Sequence, residues 1–335
     1  MNAPKFKSFL KDDLNLFYWK RKAELSAITL ENELIRLRSF DACLSRYGFN
    51  DIDPDFINLW ISSLNGLSEG SINNYISSVR VFLRYENALR DKHYFVPEYR
   101  MYPDTYIPHY FTSNDKEAIY SSVDNFTPGS NNVLPWIKAE LPMIVRILDG
   151  CGTRVAEVLQ LRIQDVDFEN AVLIIRNAKR GKQRRVPMAD SLFKILEDYC
   201  YAMGIYGNPD AFLFPRKDQT ECLKVSDVSS CRFTPILEKL GIRKKCSLKK
   251  YERGPCLYDY RHTFSVNSFK QLHRKGLTID DTVCYLSIYL GHDDLSETQR
   301  YLKHCLEIFP EEIDKFYDAA DALAPKEDKW ERWEL

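Results

Sequence analysis

The chain has no cysteine pair spaced as CxxC, and its nine cysteines, from Cys43 to Cys305, are odd in number. Neither a disulfide framework nor a zinc site is predicted, and the thiols read as reduced packing residues. No uninterrupted apolar run approaches membrane-span length, and Met1-Asn2-Ala3-Pro4-Lys5 opens no signal-peptide pattern. A cytoplasmic protein with no membrane partner is expected. Charge of one sign is also missing: 47 Lys and Arg stand against 48 Asp and Glu, a formal net charge of −1. That balance argues against a uniformly basic nucleic-acid binder, although a total hides its distribution.

What is present is a chain of 335 residues, 44% hydrophobic, long enough for two domains. Its charge is uneven. Arg176, Lys179, Arg180, Lys182, Arg184 and Arg185 form an acid-free cluster, and Arg243, Lys244, Lys245, Lys249, Lys250 and Arg253 form a second broken only by Glu252. Acid collects near the C-terminus in Glu311, Glu312, Asp314, Asp318 and Asp321.

Residues 1–90 read as a small helical domain without a strand signal. Helix-period apolar positions run over 6–22 and 29–47, and Asp53 followed by Pro54 predicts an N-cap and first turn of a helix reaching about Leu64. From Ser71 to Tyr85 a core-facing stripe is formed by Ile72, Tyr75, Ile76, Val79, Phe82 and Leu83. The opposite face holds Asn73, Asn74, Ser77, Arg80 and Arg84, residue types suited to phosphates and base edges, and equally to a solvated face. Residues 91–111, with three prolines and no helical period, read as an interdomain linker, and a second domain is expected over 112–308.

In that second domain a helix is predicted over Leu134–Leu148, broken by Asp149-Gly150-Cys151-Gly152, with a new helix opening at Thr153. The turn delivers Arg154 to a helix start, where a guanidinium and the first-turn N–H groups can share one anion. Glu157, three residues on, can hold that guanidinium by a charge-assisted bond, or the two form an ordinary surface pair. Asp165–Phe168, Ala171–Arg176 and a segment ending Arg185-Val186-Pro187 read as three strands. The turn before the third carries Lys179, whose mobility would suit a general acid protonating a leaving alkoxide. Helices are predicted from Asp190 to about Met203 and from Val225 to Leu240, with a strand-like Phe212–Phe214 between them. The fold class expected is mainly α with a small antiparallel β-sheet (α+β).

Further on, Tyr258 and Arg261 lie one helical turn apart, and Leu290-Gly291-His292 places a histidine nine residues before Tyr301 (301 − 292 = 9). Two arginines converging on one point repel unless an anion sits between them. A tyrosine, with a usual pKa of about 10, needs such cations nearby to attack a phosphodiester at neutral pH.

The ordered set Arg154, Lys179, Tyr258, Arg261, His292 and Tyr301 resembles the tyrosine recombinase (phage integrase) family of site-specific DNA recombinases, over residues 145–305, with a looser likeness over 6–90 to its helical core-binding domain. The resemblance implies that Arg154 and Arg261 hold a scissile phosphate, Lys179 is the hairpin lysine, His292 is the family's second histidine and Tyr301 is the nucleophile. The implied product is a 3′-phosphotyrosyl link that rejoins DNA without ATP, metal or other cofactor. Tyr258 departs from the pattern, standing where the family most often has histidine. The partners implied are a double-stranded DNA recombination site, three further copies of the chain on two duplexes and accessory DNA-bending proteins. Phosphate contacts are expected from Asn73, Asn74, Ser77, Arg80 and Arg84 and from Arg180, Lys182, Arg184 and Arg185. An acidic helix begun by Pro310, with Ile313, Phe316, Tyr317, Ala320 and Leu323 on one face, lies in a segment (309–335) suited to docking on a neighbouring protomer. Two other readings stay open: a type IB topoisomerase-like enzyme, and a catalytically weak accessory DNA-binding protein of the same fold.

Overall fold

A computed structural model describes residues 5–101, 108–126, 137–176, 183–244 and 254–292 of the chain, which divides into two units, Met1–Thr105 and Tyr106–Leu335. In the first unit the helices are α1 (Lys11–Glu24), α2 (Ala27–Tyr47), α3 (Pro54–Ser63) and α4 (Glu69–Arg90). Each start has a chemical cause. Ser26 accepts from the Thr29 N–H, Asp53 from the Phe56 N–H at 2.7 Å with Pro54 in the first turn, and Ser68 from the Ser71 N–H. The first helix begins later than periodicity predicts, because the Asp41 carboxylate accepts the Lys7 and Ser8 N–H groups, each at 2.9 Å, and pins that stretch outside the helix. Phe17, Phe40, Phe56, Trp60, Ile76 and Phe82 fill the core, with Phe40 edge-on to Phe56 and Trp60.

Residues 92–100 belong to the stretch expected to link the domains. They run back along α4, where the Asn87 amide donates to the Tyr94 carbonyl at 2.8 Å and accepts its N–H at 3.0 Å. Arg80 donates to the Pro97 carbonyl and lies over the Tyr99 ring, whose hydroxyl donates to Ser77. Asn73 makes the same two-way clasp on Arg100, with both bonds at 2.8 Å.

The second unit contains α5 (Ser113–Asp124), α6 (Ile137–Cys151), α7 (Val155–Leu159), α8 (Asp190–Ala202), α9 (Val225–Val228), α10 (Thr234–Lys239), α11 (Asp259–Arg274) and α12 (Ile279–Leu290). Strands β1 (Val166–Asp167), β2 (Val172–Ile175) and β3 (Arg184–Pro187) form one antiparallel sheet in the order β1-β2-β3, with Leu173 paired to both Val166 and Val186. Ile144, Val145, Ile147 and Leu148 of α6 make the spine of the core, packed with Leu173, Leu196, Phe214, Phe233 and Tyr260. The fold is mainly helical with a small antiparallel sheet.

Three local expectations need correction. The helix does not break at Asp149: α6 continues to Cys151, and Gly152 alone makes the turn, with φ +59 and its N–H on the Leu148 carbonyl at 3.0 Å. The predicted Val225–Leu240 helix is α9 and α10 joined by a π-helical turn over Ser229–Phe233. Phe212–Phe214 forms a single isolated bridge, Arg162 to Phe212, in place of a strand, and the next residue, Pro215, bridges to Cys222.

Candidate active site

Gly152 is held to glycine twice over. Its φ is positive, and a Cβ would stand 2.2 Å from Cδ1 of Phe264. The turn presents Arg154 at the N-cap of α7 in an extended conformation (φ −74, ψ 143). Because Glu157 is one turn on, its carboxylate reaches back to accept the Arg154 backbone N–H at 2.9 Å and its Nη1 at 3.0 Å. A second arginine completes this carboxylate. Arg184, on β3, donates Nη1 to Oε1 at 3.0 Å and Nη2 to Oε2 at 2.7 Å, with its side chain only 9% exposed. Burial works to raise the Glu157 carboxyl, but the Arg184 bonds and charge, with the Arg154 N–H and charge, outweigh it and hold the pKa at about 2. Glu157 is therefore a permanent anion shared by two cations.

On α11, Arg261 is buried at 1% exposure. Its Nη1 donates to the Gly152 carbonyl at 3.0 Å, and its Nη2 to the Leu290 carbonyl at 2.8 Å and to Nε2 of His292 at 2.9 Å. A guanidinium has no acceptor, so Nε2 must be the acceptor here and the imidazole carries its proton on Nδ1. His292 reaches this position because Gly291 ends α12 at φ +67, and its own N–H closes on the Ser287 carbonyl at 3.0 Å. A Cβ on Gly291 would lie 3.1 Å from Cδ and Nη1 of Arg184. The contacts thus close a ring: Gly152 to Arg261, Arg261 to His292, the Gly291 turn to Arg184, Arg184 to Glu157, and Glu157 to Arg154. Tyr289 braces it from below, its hydroxyl on the Cys151 carbonyl at 3.2 Å and its ring stacked on Phe264.

The model of the phage integrase family matches residues 111–306, more than half the chain. The chain belongs to this family of tyrosine recombinases. An integrase/recombinase-type protein, y4rB of Sinorhizobium fredii, is 32% identical over 168 residues, 49% of this chain and 52% of that one. The tyrosine recombinase XerA of Pyrococcus horikoshii is 26% identical over 255 residues, 75% of each chain. The chain therefore spans about half the length of the first relative and three quarters of the second. Among solved structures, the XerH site-specific recombinase on a palindromic difH substrate has a TM-score of 0.65 at 18% identity, covering 91% of this chain and 85% of that one, a likeness of fold.

For this integrase-family chain, the structure brings Arg154, Glu157, Arg261 and His292 into one cluster. Arg184 joins them. Strand alternation was the signal that separates Arg184 from its neighbour: it shares the inward face of β3 with buried Val186, while Arg185 points outward, 64% exposed, and pairs with Asp167 at 3.0 Å. As a DNA-facing residue Arg184 is therefore corrected to a buried partner of Glu157. Tyr258 precedes α11, and its ring meets His262 edge-on at 5.0 Å while its carbonyl accepts the Arg261 N–H at 3.0 Å. On α4, Asn73, Ser77 and Arg80 are engaged by residues 97–100 as described, whereas Asn74 and Arg84 are exposed. Lys179, Arg180, Lys182, Tyr301 and the segment 309–335 lie outside the described residues. Among the described residues, no group of three or more His, Cys, Asp or Glu is placed to hold a metal ion, and no helix is long and apolar enough to cross a membrane.

Proposed function

We propose that this chain is a site-specific DNA recombinase that cleaves and rejoins strands through a 3′-phosphotyrosyl intermediate on Tyr301. The observation that carries the reading is the closed ring around Gly152, in which two glycine turns and a shared carboxylate bring Arg154, Arg261 and His292 together from distant parts of the sequence. Arginine suits this place because it keeps its proton and offers a planar fork to phosphoryl oxygens. Arg154, whose side chain is 24% exposed, would meet the phosphate, while buried Arg261 adds charge and fixes the His292 ring. As the Tyr301 oxygen bonds to phosphorus the phenol gives up its proton to solvent, the bond to the 5′ oxygen breaks, and Lys179 supplies the proton that makes a 5′-hydroxyl. Attack by a 5′-hydroxyl from another strand runs the step backwards, so no ATP and no metal enter the scheme. Preorganised cations of this kind stabilise the charge that spreads over the phosphoryl oxygens in the transition state.

The DNA partner would be a duplex recombination site, gripped by both units through exposed cations such as Arg84 and Arg185, with a homotetramer on two duplexes as the active assembly. The test is a covalent trap: the full chain is incubated with a pool of nicked, randomised, end-labelled duplexes and denatured. Labelled protein is expected from the wild type and none from Tyr301→Phe, which removes one oxygen and little volume. Labelled Tyr301→Phe protein would place the nucleophile elsewhere, and sequencing the trapped DNA would give the site.

A further inference from the structure

Where α6 stops at Cys151 and Gly152 turns the chain at φ +59, the carbonyls of these two residues lie past the last helical turn, which supplies them no N–H group. Both are taken by side chains from distant elements. The Tyr289 hydroxyl donates to the Cys151 carbonyl at 3.2 Å and Arg261 Nη1 to the Gly152 carbonyl at 3.0 Å, across separations of 138 and 109 positions. Arg261 already belongs to the cluster of candidate catalytic groups. Tyr289 stands beside it, in the last turn of α12, three residues before His292.

We propose that Tyr289 is a positioning residue for strand cleavage: its hydroxyl ties the turn that precedes Arg154 to the end of α12 that carries His292, and so fixes the spacing between those two parts of the site. This rests on the recombinase reading for the reaction that the site performs. The ring and the hydroxyl act on the same turn through separate contacts. The ring lies on Phe264, with centroids 5.4 Å apart and planes 15° from parallel, and Phe264 in turn fills the space that a Cβ on Gly152 would need. Tyr289 also packs on both apolar clusters of the unit, the main core and the smaller one of Val266, Phe269, Val283, Leu286 and Leu290, so it sits where α12 meets the rest of the unit. Burial raises the phenol above its ordinary range although Arg184 and Arg261 pull it down, so it keeps its proton and remains a donor at neutral pH. A role in packing alone would need only the ring.

Two substitutions separate the roles, since Tyr289→Phe keeps the ring and removes the hydroxyl whereas Tyr289→Leu removes both. The full chain and the two variants are compared in single-turnover cleavage of the nicked duplex recovered from the covalent trap. The rate constant and final amplitude of covalent product are read, together with duplex affinity and the urea midpoint. Tyr289→Leu is expected to lower the midpoint. Tyr289→Phe is expected to restore it while its rate constant stays about tenfold below the wild type at unchanged amplitude and affinity, because small displacements of a positioned group cost factors of that order or more. If packing were the whole role, Tyr289→Phe would recover stability and rate together, so a rate equal to the wild type overturns the proposal. A lower amplitude or affinity at an unchanged rate constant also overturns it, by showing that fewer molecules fold or bind. Unfolding of Tyr289→Phe would do the same, by making the hydroxyl a group of the fold. If the wild type traps no duplex, the recombinase reading fails and the assignment of Tyr289 to cleavage falls with it; a wild type that cleaves beside an equally fast Tyr289→Phe removes this proposal alone.

Discussion

Glu157 is where a single residue has the widest effect, because its carboxylate ties the start of α7 to β3 in a nearly dry setting. Its pKa lies at about 2 against an ordinary 4.5, so the group is depressed on folding. A depressed carboxyl contributes stability that is complete above its unfolded value and is lost as pH falls through its folded value. The contribution should therefore be whole at neutral pH, about 3 kcal/mol from the size of the shift, and should disappear between 4.5 and about 2. The measurement is the urea midpoint of the wild type and Glu157→Gln across acid pH. The gap between them should close as pH drops; a gap that stays constant down to the acid limit would mean the carboxylate is not held by its two arginines. Arg261 is a different case at the same scale, since its guanidinium bonds both to the Gly152 turn and, at Leu290 and His292, to the end of α12, and so ties two distant segments by geometry.

Among the elements, the turns decide more than the helices they join. Gly152 and Gly291 both have positive φ, yet their surroundings differ. At Gly152 a Cβ meets the Phe264 ring at 2.2 Å, and that ring is stacked on Tyr289, which is itself bonded to the Cys151 carbonyl. At Gly291 the neighbour at 3.1 Å is the far part of an arginine side chain. Gly152→Ala should accordingly cost about 3 kcal/mol in chemical denaturation, combining strain with overpacking, and Gly291→Ala about 1 to 2 kcal/mol. The order of the two is the sharper expectation. An equal or inverted cost would show that the Phe264–Tyr289 stack yields more easily than its packing implies. Extended residues 92–100 make the same point in the first unit: Asn73, Ser77 and Arg80 of α4, residue types that suit DNA contact, are also bonded to this segment.

For the whole molecule, the division at Thr105 and Tyr106 leaves Tyr110 and Phe111 with the second unit. Phe111 is fully buried against Tyr260, its N–H bonds to the Thr263 hydroxyl at 3.0 Å, and the Tyr110 hydroxyl bonds to Asn267 at 2.7 Å. A fragment spanning 106–335 should melt cooperatively, whereas one starting at Thr112 should lose about 3 to 5 kcal/mol, the usual cost of emptying a buried phenylalanine site. Equal melting of the two would show that this anchor is dispensable. Assembly gives the second expectation at this scale. Deleting residues 309–335 should leave binding to a single site measurable in a gel shift while abolishing pairing of two duplexes, and a truncated chain that recombines at the full rate would remove that segment from the assembly.

Much of this was legible in the chain itself. Period gave the existence and order of the four helices of the first unit, and Asp53 with Pro54 gave the start of the third, because that cap satisfies an N–H group three positions on; α1 starts five residues later and α4 ends five residues further on than periodicity indicates. The likeness carried by Arg154, Arg261, His292 and Tyr301 named the family, since residue type and order survive where overall identity is low. What the sequence could not decide was which charges meet. Arg184 and Arg185 are adjacent and chemically identical, and only the pairing of β3 with β2 puts one beside Glu157, 27 positions away, and the other in solvent. The same holds for Arg80, an open cation in the sequence until the chain folds back and lays Pro97 and Tyr99 upon it. Local bonds are written in spacing. A buried ion pair depends on which distant segments share a dry space, and tertiary packing alone fixes that.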